Sequence, residues 1–316
     1  MSVESGRGPF DNAVKRRDFC RLDYHAASTR DALVMQMLRY RPAAPLSAFI
    51  DQFWYACGCD PDRKRQSALP TGSVDLTFNL ATDDLRVFEN AADHVGMVFD
   101  GAVVHGAQSK YFVLDARRDV HVIGVHFHPG GGAALLGVNA QELTDRHVAL
   151  SDIWGERAHT LRAQLLEAPT PAAKFALLEQ AMFKQLGLER LRPRPLVHPA
   201  ISFALRGMQT APTEVRIAEL QVATGYSSRR FTTLFTDAVG LTPKLYSRIN
   251  RLRSVVERVA RGGEVAWADL ASEYGYYDQS HLTRDFREFS GVTPGEYRPV
   301  APGTALHMEI DGGRGR

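Results

Sequence analysis

Cysteine is scarce, with only Cys20, Cys57 and Cys59 in 316 residues. Cys57 and Cys59 are too close in sequence to bridge easily, and no framework of even spacings appears. No C-x-x-C element offers zinc its soft ligands. Idle or buried thiols in a reducing cytoplasm are therefore expected. Long hydrophobic runs are also missing. None approaches the roughly 18 residues of a membrane span, so no membrane partner is expected. The opening stretch MSVESGRGPFDNAVKRRDF has no apolar segment of the kind that makes a secretory signal. Being rich in Gly, Ser and charge, residues 1–30 are expected to be a flexible tail. Charge of one sign is lacking too: 38 Lys and Arg against 36 Asp and Glu leave a net +2. Bulk charge thus announces no polyanionic partner.

What is present divides near residue 190. SVDLTFNLA (73–81) alternates, with Val74, Leu76, Phe78 and Leu80 on one side and Ser73, Asp75, Thr77 and Asn79 on the other. LRVFE, SKYFVLDA and DVHVIGVHF follow with turn residues between them, which predicts an antiparallel sandwich or barrel. From Gly131 the period becomes helical. GGAALLG and NAQELTD read as short helices. SDIWGERAHTLRAQLLEA reads as one helix with a Ser-Asp cap and Ile153, Leu161 and Leu165 inward. TPAAKFALLEQAMFKQLG reads as another, whose Phe175, Leu178 and Met182 form either a dimer face or a packing face. LRPRPLVHP, with three prolines, reads as a linker. The expected organisation is a tail over 1–30, a β-rich unit with flanking helices over 31–190, an all-helical domain over 191–300 and a tail over 301–316, which reads as either a short strand or a frayed end. The fold class is α+β.

The helical part says the same thing twice. GLTPKLYSR begins at Gly240 and GVTPGEYRP at Gly291, 51 residues later. Phe235 matches Phe286 and Tyr246 matches Tyr297 at that offset, while Gly225-Tyr226 matches Gly275-Tyr276 at offset 50. Each copy, about 214–240 and 265–291, is a short apolar helix, a glycine turn and a second helix. That is helix-turn-helix grammar. Ser227 or Ser228 and Asp278 are the expected caps of the second helices. Phe231, Leu234 and Phe235 form one buried stripe, and Leu282, Phe286 and Phe289 the other. Off the stripes lie Arg229, Arg230, Thr232, Thr233 and Thr236, then Gln279, Ser280, Thr283, Arg284 and Arg287. Arg, Gln and Thr suit base edges in a major groove. Between Gly225 and Arg261 eight basic residues face two acids, a local excess inside a nearly neutral chain. Pro243–Arg261 predicts a connecting helix roughly 28 Å long. That length could hold two reading helices about one DNA turn apart, roughly 34 Å.

With these residues in view, about 195–300 closely resembles the DNA-binding domain of AraC-family transcription regulators. The signature is L-x-x-x-x-G-Y…F-x-x-x-x-G-x-T-P-x-x-Y, and LASEYGYYDQSHLTRDFREFSGVTPGEYR is its most specific stretch. The resemblance implies that Arg229, Thr232, Thr233, Gln279, Ser280 and Arg284 read bases. It implies phosphate contacts by Ser227, Arg230, Lys244, Arg248 and Arg287. Asp278, Asp285 and Glu288 give the second copy an acidic surround, so the first copy is expected to carry more of the affinity. LPTGSVDLTFNL, GVHFHPGGGAALLGV and LTDRHVALSDIWG are similar to the sensor half of some of these regulators. That implies a cupin-like unit, a small-molecule effector and a homodimer, with RNA polymerase as a candidate partner. No cofactor and no catalytic activity are expected.

The first half leaves alternatives open. His126 and His128 have the spacing of a metal pair, yet no third ligand has a forced spacing, and structural histidines are the favoured reading. A metal-dependent cupin enzyme is the rival, and a ligand-independent DNA binder a third reading. Trp54, Asp75, Phe78, Asn79 and Tyr111 are candidate effector-pocket residues, with core as the alternative for the aromatic ones.

Overall fold

The computed structural model describes residues 19–24, 35–59, 65–115, 119–190, 197–213, 216–262, 265–300 and 304–310. The first half contributes β1 (Phe19–Tyr24), β2 (Met35–Tyr40), β3 (Ile50–Cys59), β4 (Gln66–Ala68), β5 (Asp75–Asn79), β6 (Leu85–Phe88), β7 (Met97–Phe99), β8 (Ala102–His105), β9 (Phe112–Leu114) and β10 (Asp119–Phe127). After them come α1 (Gly131–Leu136), α2 (Ala140–Leu143), β11 (His147–Ala149), α3 (Leu150–Trp154), α4 (Glu156–Glu167) and α5 (Pro171–Arg190). The second half contributes α6 (Pro199–Thr210), α7 (Ile217–Ala223), α8 (Ser228–Val239), α9 (Pro243–Ala260), α10 (Trp267–Glu273), α11 (Gln279–Ser290) and β12 (His307–Glu309).

The strands form two antiparallel sheets, ordered β1-β2-β3-β10-β5-β8-β11 and β12-β4-β9-β6-β7. Alternation in SVDLTFNLA sets the register: Val125 lies opposite Leu76 and Ile123 opposite Phe78, and all four side chains are buried. Gly124 faces Trp54 across the strand pair. A β-carbon there would stand 2.5 Å from the indole, so the glycine is the space the tryptophan occupies.

Several expectations change. Segment 19–24 of the expected tail is a strand paired with β2, while 1–18 and 25–30 lie outside the described residues. The single helix expected over 151–168 is two helices, because Gly155 breaks it with φ 58° and ψ −142°, a conformation other residues avoid. Ile153 packs at the edge of the core beneath which Leu161 and Leu165 are buried. Phe175, Leu178 and Met182 are wholly buried against the first half's own sheet and helices, so they do not offer a dimer face. Linker residues 191–196 lie outside the described residues. Of the two readings of the segment beyond 300, the short strand is the one formed: it is β12, which joins the edge of the second sheet beside β4.

The second half has its own apolar core, built on Phe231, Phe235, Tyr246, Leu282, Phe286 and Phe289. That core reaches into the first half, where it takes in Leu69 and Ala107, and into the C-terminal strand, where it takes in Met308. Apolar burial, at roughly 25 cal/mol per Å², therefore ties the halves together as it does the helices within each.

Candidate nucleic-acid interface

Each copy of the repeat folds as its spacing requires. Ser227 caps α8, its side chain accepting from the Arg230 backbone N–H at 3.3 Å. Asp278 caps α11, accepting from the His281 N–H at 2.7 Å. Both helices end on a left-handed glycine, Gly240 (φ 89°) and Gly291 (φ 76°), a common way to close a helix. Thr242 then caps α9 by accepting from the Leu245 N–H, with Pro243 in the first turn. In the second copy Thr293-Pro294 starts only a 3-10 turn, held by the Thr293 N–H donating to Glu296 at 2.7 Å.

Because Phe231, Phe235 and Val239 are buried, the opposite side of α8 turns outward. Arg229, Arg230 and Thr233 are exposed and Thr232 half-buried. Thr233 donates its hydroxyl to the Arg229 carbonyl at 3.0 Å, which leaves its methyl free for contact. On α11, Gln279, Ser280, Arg284 and Arg287 are exposed, as is Lys244 at the start of α9. These basic and amide side chains cluster on the outer face of two helices whose N-terminal ends carry partial positive charge. The arrangement can hold a polyanion and present hydrogen-bonding groups to base edges.

Arg248 departs from its expected phosphate role. Its guanidinium donates to Asp285 at 2.7 Å and to Glu288 at 2.6 Å, and it lies 4.8 Å from the centre of the Phe289 ring. It is thus committed to fastening α11 onto α9. Hydrogen bonding to Arg248 in turn holds the Glu288 carboxyl below its usual range. The acidic surround noted in the second copy is in this measure internally compensated: Asp285 is buried and Glu288 paired. Tyr277, just before α11, is almost fully exposed at 92%. It is absent from the contacts expected from the sequence; its place beside the cap of α11 was the available signal.

Residues 220–299 match a family described as "Helix-turn-helix domain", and residues 38–149 match one described as "Domain of unknown function (DUF6597)". The C-terminal part of this chain is an AraC-type helix-turn-helix domain. A helix-turn-helix domain of this kind is a DNA-binding module. No curated protein matches the chain. Among solved structures it is similar to ToxT from Vibrio cholerae, at 10% identity over 74% of this chain and 96% of that one, with a TM-score of 0.40. A second ToxT structure, of the wild-type protein from strain SCE256 with an unsaturated fatty acid bound, gives 13% identity, 74% and 90% coverage, and a TM-score of 0.40. No described helix is long and apolar enough to cross a membrane.

The candidate effector residues of the first half do not converge. Phe78 is in the main core. Trp54 lies over Gly124. Asn79 uses its amide on the turn that follows, donating to Thr82 at 2.8 Å and to the Asp84 carbonyl at 2.7 Å. Tyr111 packs against the second half's core. Asp75 sits opposite His126 in the β5–β10 register and accepts a hydrogen bond from its Nδ1 at 2.6 Å. Burial opposes charging of His126, yet the Asp75 carboxylate, with Asp51 further off, lifts its pKa above the ordinary imidazole value. His128 is shifted the other way, chiefly by burial. Among the described residues no group of three or more His, Cys, Asp or Glu side chains could share a metal ion. A cavity of ≈ 600 Å³ opens instead on the helical side, lined by Leu136, Leu143, Arg146, Trp154, Arg157 and Gln185 among others.

Proposed function

We propose that the AraC-type domain reads two successive major-groove segments, α8 entering one and α11 the next, and that the first half makes this reading respond to a small-molecule effector. Arg229, Thr232, Thr233, Gln279, Ser280 and Arg284 are the base readers. Arg230, Lys244 and Arg287 position the phosphates, and Ser227 does so through the hydroxyl hydrogen left over from its cap. The observation that carries this reading is the repeated pairing of an apolar inner stripe with an outer face of arginine, glutamine, serine and threonine. α9, with 18 residues, spans roughly 27 Å. That is near the roughly 34 Å between successive major-groove faces on one side of DNA.

The cavity beside α2 is the place for an effector, since its size falls among those of small-molecule pockets, roughly 300–1,000 Å³. α2 lines it and also touches α8. The protein works in the cytoplasm, as a homodimer, without catalytic chemistry of its own, and RNA polymerase is a candidate partner at the promoter. Selection of preferred duplexes from a random library, with full-length protein at about 0.15 M salt, tests the reading. Two enriched blocks about one helical turn apart are expected. Binding that responds to salt and to no sequence would refute it.

A further inference from the structure

We infer that Thr144 and Tyr111, both in the first half, are positioning residues that set the separation and angle of the two reading helices, and hence the operator spacing the protein accepts. This rests on the reading that α8 and α11 both enter DNA. Gly240 and Gly291 occupy equivalent places in the repeat, and each is pressed against the first half. Thr144 donates its hydroxyl to the Gly240 carbonyl at 2.8 Å. A β-carbon on Gly240 would stand 2.7 Å from that hydroxyl oxygen and 3.0 Å from the Ala140 carbonyl oxygen. Gln141, one residue along α2, donates to Asp237 in the last turn of α8. At the other copy the Tyr111 ring covers Gly291, where a β-carbon would meet Cε1 at 2.5 Å. The Tyr111 N–H donates to the Phe289 carbonyl at 3.0 Å. The same corner of each helix-turn-helix motif thus has its own seat.

The two seats belong to one piece. The Gly106 N–H donates to the Arg146 carbonyl at 3.0 Å, and the Asp145 N–H to the Ala107 carbonyl at 3.2 Å. Gln108 donates its amide to the Gly106 and Arg146 carbonyls, each at 3.1 Å. The Ser109 hydroxyl donates to Asp145 at 2.8 Å. Beneath them β8 pairs with β11. Segments 106–111 and 143–146 therefore move together. Within the domain, the shared apolar core and the Arg248 ion pairs already hold α11 on α9. A plate gripping both heads at their closing glycines adds a second restraint from outside the domain. Because the two seats belong to one piece, the distance between them is set by the first half, so spacing preference is encoded there as well as in α9.

The test uses full-length protein and duplexes carrying the two selected blocks, with the spacer lengthened or shortened one base pair at a time. The unmodified protein should lose roughly tenfold in affinity per base pair of wrong spacing. The Tyr111→Ala/Thr144→Ala double variant should lose less than about threefold while keeping its base preference within each block. Tyr111→Phe with Thr144→Ser, which keeps ring and hydroxyl, should restore the steep dependence. Thr144→Val alone, close to isosteric, should flatten it in part and serves if the double variant folds poorly. A spacing dependence as steep in the variants as in the parent overturns the inference, whether or not overall affinity falls. If the underlying reading fails, that shows first in the unmodified protein, as no two-block enrichment, and the inference falls with it.

Discussion

The ring of Tyr246 rests on the backbone of Gly72, so closely that a β-carbon at Gly72 would stand 2.8 Å from Cε2. Tyr246 belongs to the connecting helix α9 and is wholly buried, and Gly72 belongs to the loop before β5. Gly72 also has φ +72°, where an L side chain is strained. Gly72→Ala should cost about 1–3 kcal/mol by strain and overpacking together. Gly225→Ala is the control, with φ +73° but nothing within 4 Å of its β-carbon, and should cost about 1 kcal/mol through φ alone. Urea unfolding of both variants checks this; equal midpoints would mean that the Tyr246 contact contributes nothing.

Arg248 holds a charge balance that truncation would expose. Asp285 is 1% exposed, and Arg248→Ala leaves its carboxylate without a counter-charge. A loss of about 3–5 kcal/mol is expected, felt first by α11. Replacing Arg248, Asp285 and Glu288 together by apolar residues of similar volume should recover most of it. Thermal unfolding followed with DNA binding to the second block tells the cases apart. If Arg248→Ala were as stable as the parent and lost only salt-dependent DNA affinity, the phosphate role would be restored.

The helical domain was legible because its information is local. Gly225, Gly240, Gly275 and Gly291 all take positive φ, and the caps Ser227, Asp278 and Thr242 lie where their residue types say. Buried stripes at helical spacing did the rest. What was not legible depends on contacts distant in sequence. Nothing within TALHMEIDGGRGR says that His307–Glu309 will pair with Gln66–Ala68. Arg248 looks free on a helical wheel and is claimed by two acids some 40 residues later. Asn79 looks like a cavity group until the turn after β5 takes its amide. The first-half cavity lies among helices whose packing order no periodicity fixes.

Arg284 and Lys244 should separate specification from positioning. Arg284→Ala is expected to cost about 1–3 kcal/mol at the cognate site and to relax preference at one base. Lys244→Ala should weaken binding alike on all sequences and lower the salt slope by about one. Competition titrations against single-base variants, repeated at several salt concentrations, measure both. An Arg284→Ala loss that is equal on every sequence would make it a phosphate contact.

Buried His105 and half-buried His147 should titrate in the opposite direction from half-buried His126. His105 and His147 face each other with Nδ1 atoms 2.8 Å apart. Burial holds His105 well below its ordinary value and pushes His147 down to about 4. A lowered imidazole contributes stability that is complete above about 6.5 and is lost as pH falls toward 4, for His147 on the order of 3 kcal/mol. His126 is raised, so its contribution is complete below about 6.5 and is lost as pH rises through its folded value. Imidazole proton shifts by NMR should show His147 neutral at pH 5.5 and His126 charged there. A His147 that titrates near 6.5 would contradict the buried pair.

The C-terminal strand closes what the two halves share. Met308 is 2% exposed and belongs to the second half's core, while its strand pairs with β4 in the first half's sheet, Met308 opposite Ser67. The ladder extends past its ends, with the Leu69 N–H donating to the Leu306 carbonyl at 2.8 Å and the Ile310 N–H to the Arg65 carbonyl at 2.9 Å. Tyr297 anchors the return by donating its hydroxyl to the Ala305 carbonyl at 2.6 Å. Removing residues 304–316 would thus uncover the edge of β4 and part of the core at one stroke. An opened strand edge is a template for pairing with other chains, and an apolar side chain of this size contributes about 2–5 kcal/mol when buried. The shortened chain should melt at lower temperature and self-associate, whereas Met308→Ala should melt lower and stay dispersed because its backbone still covers the edge. Differential scanning calorimetry with light scattering distinguishes these outcomes. If the shortened chain matched the full one in both measurements, β12 would be a passive addition to the sheet and the shared core would be sustained by contacts such as those of Leu69, Ala107, Tyr111 and Tyr246.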